Sequence, residues 1–157
     1  MALDHIFKDV AYIQSCGWGK VLSHLKKQFD KWAVERLAQK GYKGFKMTYM
    51  PVIMNIDLNG TNNNDLAVRA KVTKQAMSKV IKELQKSGFI SSRTDPNDKR
   101  SVIFQLTTKG KSFIMSARES VGELMNEYRK EFGKKTFDDL LHKLVAIVEY
   151  NDRKMND

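Results

Sequence analysis

Between Asn63 and Gly110 the apolar residues of this chain fall into three successive patterns. Leu66, Ala67 and Ala70 come first, as the small or apolar positions of a short helix that Asn63 or Asn64 can cap. Lys71-Val72 then makes a tight turn, and Thr73 is a good N-cap for a second helix. Met77, Val80, Ile81 and Leu84 recur at helical spacing, while Lys74, Gln75, Ser78, Lys79, Lys82 and Lys86 lie off that stripe. Gly88 suits the left-handed residue that closes a helix. Last come Ile90-Ser91-Ser92-Arg93-Thr94 and Val102-Ile103-Phe104-Gln105-Leu106, joined by the polar tip Asp95-Pro96-Asn97-Asp98-Lys99-Arg100. Short helix, turn, basic helix and charged-tipped hairpin, in that order, predict a winged helix-turn-helix.

Long amphipathic helices frame this module. Trp18, Val21, Leu22, Leu25, Phe29, Trp32, Ala33 and Leu37 step by three and four, and Gly41 is a suitable terminator. Ile6, Val10 and Ile13 predict a shorter helix before it. After the connector from Gly41 to Phe45, Thr48 is the expected N-cap of a short helix with Met50, Val52, Ile53 and Ile56, with Pro51 tolerated in its first turn. Asn59-Gly60 marks a turn. Towards the C-terminus Thr107 or Thr108 can cap a helix bearing Phe113, Ile114, Ala117, Val121, Leu124, Met125, Tyr128 and Phe132. Gly133 breaks it, and Thr136 followed by Asp139 opens a last helix with Leu140, Leu141, Leu144, Val145 and Val148.

The expected fold class is therefore mainly α: a winged helix-turn-helix with a two-stranded β-hairpin wing, framed by long N- and C-terminal dimerisation helices. The chain reads as a single domain, 1–157, in which 46–107 form the winged lobe and 1–45 with 108–157 the helical dimerisation region. The terminal stripes are longer than one small module can cover, so two subunits are expected to bury them against each other as a homodimer. A monomer that folds its two ends together is the alternative.

Composition sharpens the picture. The 157 residues are 41% hydrophobic and 29% charged with two prolines, a globular rather than a disordered balance. Net charge is +10, which favours polyanions such as nucleic acid or an anionic membrane surface. From Thr61 to Lys111 eleven Lys or Arg face four Asp or Glu, a net +7; elsewhere seventeen face fourteen, a net +3. The excess sits on the winged module, which points to nucleic acid. The lone Cys16 excludes an internal disulfide framework and suits a reducing cytoplasm. No apolar run approaches the ~20 residues that span a bilayer, so no membrane partner is expected. The opening Met1-Ala2-Leu3-Asp4-His5 lacks the basic and apolar regions of a secretory signal, and a cytoplasmic location is expected.

Other chemistries fail on spacing. Lys109-Gly110-Lys111-Ser112 ends like a phosphate-binding loop, but Gln105 stands where the first glycine is needed. The run from Asp57 lacks the glycine and the glutamate of a calcium loop, with Asn62 and Val68 in their places. His5, His24 and His142 have no Cys or His at ligand spacing, and no catalytic triad stands out. No enzyme activity, cofactor or metal is expected.

The stretch Asp65-Leu66-Ala67, Thr73 through Leu84, Gly88-Phe89-Ile90, Asp98-Lys99-Arg100-Ser101 and Leu106-Thr107-Thr108-Lys109-Gly110 resembles the MarR family of bacterial transcriptional regulators. The last two segments look like that family's Asp-x-Arg wing signature followed by Leu-Thr-x-x-Gly. The resemblance implies a homodimer on a pseudo-palindromic operator in double-stranded DNA, most readily a ligand-responsive repressor with a small-molecule effector. It implies major-groove contacts from Thr73, Lys74, Gln75, Ser78 and Lys79, and a minor-groove role for Arg100 braced by Asp98. Lys82, Arg93 and Lys99 complete the candidate DNA-binding set on charge and placement. Some members sense hydroperoxides through one cysteine near the first long helix, which makes Cys16 a candidate redox residue. Its neighbours Gly17-Trp18-Gly19 do not look like those sensors, and a lone cysteine is more often a small buried apolar residue. The family's effector pocket lies between dimerisation helices and DNA-binding lobe. Trp18, Trp32, Tyr42, Phe45 and Tyr49 are near that part of the chain but read as core. Two rival readings are a winged protein-interaction module with an acidic partner and an architectural protein that binds DNA without an operator.

Overall fold

The computed structural model describes residues 17–96 and 98–156, without the side chains of Lys74 and Asn156. Cys16 and the predicted helix through Ile6, Val10 and Ile13 lie outside the described residues. The elements run α1 (Trp18–Gln39), a 3-10 turn (Met47–Tyr49), α2 (Met50–Ile53), β1 (Thr61–Asn62), α3 (Asn63–Ala70), α4 (Lys74–Lys86), β2 (Ile90–Thr94), β3 (Val102–Leu106), α5 (Thr108–Phe132) and α6 (Lys134–Asn156). They form two compact units, one running to Ala117 and one from Arg118. The predicted fold class holds, and the hairpin gains a third strand.

The first unit is built on one core. Val52, Ile53, Leu66, Met77, Leu84 and Phe113 are its largest fully buried side chains. Each such burial is worth roughly 1.5–3 kcal/mol, so these six contribute much of the drive that assembles the helix-turn-helix. Aromatic rings extend the core: Phe45 stacks on Phe113 with centroids 4.1 Å apart and meets Phe89 edge-on at 5.5 Å. The sheet has the order β1-β3-β2, all antiparallel. Ile90 pairs with Leu106 and Thr94 with Val102, while Thr61 of β1 pairs with Phe104. Two residues are too few to show a strand period, so β1 had no readable signature. Its entry depends on Gly60 at φ +96°, where an added Cβ would stand 2.5 Å from Ile103 Cγ2.

Three expected helix starts are corrected. The cap of α3 is Asn62, not Asn63 or Asn64: its Oδ1 accepts from Asp65 N–H at 2.9 Å, and its Nδ2 donates to Asp65 Oδ2 at 2.9 Å. Only from Asn62 does the acidic residue fall three positions on, where a reciprocal cap needs it. Thr48 caps nothing, because it lies inside the 3-10 turn that Tyr49 N–H closes on the Lys46 carbonyl at 2.9 Å. Three residues beyond Thr48 stands Pro51, which has no N–H to offer a cap. α2 also stops at Ile53, leaving Ile56 buried beyond its end. α6 starts at Lys134 rather than Thr136, since the Gly133 carbonyl already accepts from Phe137 N–H at 3.0 Å.

α1 spans the predicted stripe, yet only Ala33 and Leu37 of it are buried. Gly41 ends it as expected, at φ +95°, with its N–H on the Ala38 carbonyl and Tyr42 N–H on that of Leu37. In the second unit, Phe137 is buried beside Tyr128 at 5.4 Å, and Arg129 Nε donates to Asp138 Oδ1 at 2.7 Å. Leu140, Val145, Ile147, Val148 and Tyr150 of α6 are exposed.

Thr107 ties three elements of the first unit together. Its hydroxyl donates to the Gly88 carbonyl at 2.7 Å, its N–H donates to the Phe89 carbonyl at 3.1 Å, and its Oγ1 accepts from Gly110 N–H at 3.1 Å. Thr107 thus caps α5 and pins the end of α4 and the start of β2 to it. Gly110 allows this approach, because a Cβ there would lie 2.1 Å from the Phe89 carbonyl oxygen. Helix propensity alone favours Gly110→Ala by roughly 0.5–1 kcal/mol. The contact reverses the sign, and Gly110→Ala should lose about 1–3 kcal/mol, as overpacked sites do. Urea unfolding of the two proteins measures it.

Candidate nucleic-acid interface

The basic helix is set by its ends and by one buried stripe. Thr73 Oγ1 accepts from Ala76 N–H at 3.2 Å, so the predicted cap forms. Lys71, at φ 49°, makes the preceding turn in the left-handed region, which costs a non-glycine residue some strain. At the other end Gly88 N–H reaches the Gln85 carbonyl and Phe89 N–H that of Leu84, both at 2.9 Å. Met77, Ile81 and Leu84 are buried at 1%, 6% and 0% exposure, with Val80 at the margin of the core. The sequence placed this stripe correctly.

The opposite face follows from that burial. Thr73, Gln75, Ser78, Lys79 and Lys82 are exposed, and Lys74 opens the same helix. Gln75, Ser78, Lys79 and Lys82 together line a shallow hollow of about 460 Å³. An amide, a hydroxyl and two ammonium groups in one row can offer hydrogen bonds to base edges and charge to phosphates.

The hairpin carries the second group. Arg93 is exposed on β2, opposite Ile103 of β3. Lys99 and Arg100 are exposed at the tip, which Asp95 N–H closes on the Ser101 carbonyl at 2.9 Å. Asp98 stands beside Arg100, but its hydrogen bond goes to the backbone: Oδ1 accepts from Arg100 N–H at 2.9 Å. Ser101 N–H in turn donates to the Asp98 carbonyl at 2.8 Å. Asp98 therefore shapes the loop that carries the guanidinium.

A further polar group near α4 had no sequence signal. Glu83 Oε2 accepts from the Tyr49 hydroxyl and from Lys46 Nζ, the latter at 3.0 Å. These partners lie 34 and 37 residues away, so no local spacing could reveal them. The Tyr49 hydroxyl, then Lys46, holds the Glu83 carboxyl below its usual range, and the Tyr49 hydroxyl, then Glu83, raises the Lys46 ammonium above its own. At the helix end, Gln85 Nε2 donates to Ser92 Oγ at 2.9 Å, joining α4 to the hairpin. Lys109 Nζ donates to the Ser87 carbonyl at 2.8 Å and lies 4.6 Å from the Phe89 ring centre.

Comparison with known proteins agrees with this architecture. The MarR family model matches residues 57–102, which include β1, both helices of the helix-turn-helix and the hairpin as far as Val102. The HTH-type transcriptional regulator BilQ of Clostridioides difficile is 25% identical over 146 residues, covering 91% of this chain and 93% of that protein. A solved MarR family transcription regulator shares the fold with a TM-score of 0.76 at 16% identity, covering 100% of this chain and 99% of the other. A mutant MarR from E. coli, complexed with operator DNA, gives 0.64 at 22% identity over 87% of this chain and 98% of its own. No helix among the described residues is long and apolar enough to cross a membrane.

The Glu83 contacts imply a pH dependence of stability. Its folded value lies below the ordinary carboxyl value near 4.5, so its contribution is complete above that value. The contribution is lost as pH falls from there through the depressed folded value. Glu83→Gln should be less stable than the native chain at neutral pH, and the gap should close in acid. Urea midpoints measured across that range test the sign.

Proposed function

We propose that the chain is a regulator of the MarR type: a sequence-specific, double-stranded-DNA-binding transcriptional regulator. It acts as a homodimeric repressor on a pseudo-palindromic operator and is released by a small-molecule effector. One observation carries this reading: α4 turns Met77, Ile81 and Leu84 inward and presents Gln75, Ser78, Lys79 and Lys82 in one exposed row. That row suits a major groove, and the Arg93, Lys99 and Arg100 cations of the hairpin suit the adjoining backbone and minor groove. Residues 46–107 are read as the DNA-binding lobe, and 1–45 with 108–157 as the dimerisation region. The exposed apolar residues Trp18, Leu22 and Leu25 of α1 and Val145, Val148 and Tyr150 of α6 support a partner subunit there. A regulator of this kind works in the cytoplasm and performs no catalysis.

Sedimentation at micromolar concentration should give twice the 18.1 kDa chain mass. Duplexes selected from a random pool should then share an inverted repeat. Their affinity should fall steeply with salt, because two helices and two wings neutralise on the order of six to ten phosphates. A flat salt dependence would favour a protein-interaction module, and equal affinity for all duplexes an architectural one.

Helix and wing should separate on single-base operator variants. Gln75→Ala is expected to relax preference at particular positions, by roughly 1–3 kcal/mol for each lost base contact. Arg100→Ala should weaken all sites more evenly and make the salt slope shallower. Both side chains are exposed, so melting temperatures should stay close to native. Native-like binding by Arg100→Ala would remove the wing from the interface.

A further inference from the structure

Glu83 is an acid on the helix that presents the basic row, one turn beyond Lys79. Lys79 exerts only the weakest of the attractions on this carboxylate; the Tyr49 hydroxyl and Lys46 dominate. Both dominant partners meet the same oxygen, Oε2, from the 3-10 turn and the residue before it. Tyr49 is itself anchored: it is 7% exposed, and its ring sits edge-on to Phe45, 5.4 Å away, which stacks on Phe113. The Lys46 ammonium lies 5.5 Å from the Tyr49 ring centre, so cation, ring and carboxylate form one cluster. The Glu83 side chain keeps 32% of its surface exposed, and these contacts set where its carboxylate stands.

We propose that Tyr49 and Lys46 are positioning residues that hold the Glu83 carboxylate away from Lys79, leaving that ammonium available to a DNA phosphate. Released, the carboxylate can turn along the helix surface to Lys79, since side chains four apart are neighbours. It would then compete with phosphate for the same cation and set a negative charge beside the DNA backbone. The clamp works through charge placement and touches no DNA. This inference rests on the DNA-binding reading above.

The experiment uses the full chain and one selected operator duplex, titrated over a range of salt. Native protein comes first: if it shows no salt-dependent duplex binding, the DNA-binding reading itself fails. Given native binding, Tyr49→Phe with Lys46→Met should bind several-fold more weakly. Its salt slope should fall by about one for each Lys79 withdrawn from phosphate. Adding Glu83→Gln to that pair should restore both affinity and slope, and a merely structural role for the cluster would not allow this. In a Lys79→Gln background the clamp substitutions should have little further effect. Circular dichroism melts monitor folding; if the double variant is unfolded, Lys46→Met alone, at an exposed side chain, carries the same comparison. Native affinity and slope in the clamp variants overturn the proposal. So does loss without rescue by Glu83→Gln, which would mean that Lys46 meets the DNA directly.

Discussion

The rotation of α4 about its own axis is the constraint on which the rest of this structure depends. Met77, Ile81 and Leu84 enter the core shared with Leu66, Ala70, Phe89 and Phe113. With 3.6 residues per turn, that choice leaves no freedom in where Gln75, Ser78, Lys79 and Lys82 point. A slip of one residue would turn the helix by about 100° and drive Ser78 and Lys82 towards apolar side chains. Burying an unpaired ammonium there would cost far more than the slip could return. The same packing that stabilises the fold therefore aims the polar row.

Around this helix the polar contacts serve as a frame. Thr73 fixes where α4 begins, and Gly88 with Phe89 fixes where it ends. Thr107 carries that end directly onto the first turn of α5, and Gln85 carries it onto β2. Each bond alone is worth only about 0.5–1.5 kcal/mol. Their value lies in leaving few alternative orientations for a helix whose apolar stripe already has one.

The sequence made the long-period features plain and the pairwise ones obscure. The α4 stripe spans several turns and contains few ambiguous positions, so its face could be read directly. The ends of α1 and α4 were legible because Gly41 and Gly88 have specific backbone roles. The cap of α3 lies one or two residues before the expected Asn63 or Asn64, since Asn62, Asn63 and Asn64 are chemically alike and only the reciprocal Asp65 contact selects Asn62. Strand β1 was invisible, because a two-residue strand is specified by its partner Phe104 rather than by its own pattern. The Tyr49–Glu83–Lys46 cluster is likewise a product of the fold. Thr107 and Gly110 were visible as a motif, but their reason, the close passage of the Phe89 carbonyl, exists only in three dimensions.

The tip of the wing has a further consequence. Asp95, Asp98, Lys99 and Arg100 are its charged residues, and their formal charges cancel. A neutral loop exerts little pull beyond a Debye length, so the capture of a distant polyanion falls to the cations of α4. On the proposed reading, the guanidinium of Arg100 adds its charge only at short range, once a duplex is close. On that reading the balanced acids and bases of the tip divide labour between helix and wing: the helix draws a duplex in, and the wing engages it only at close range.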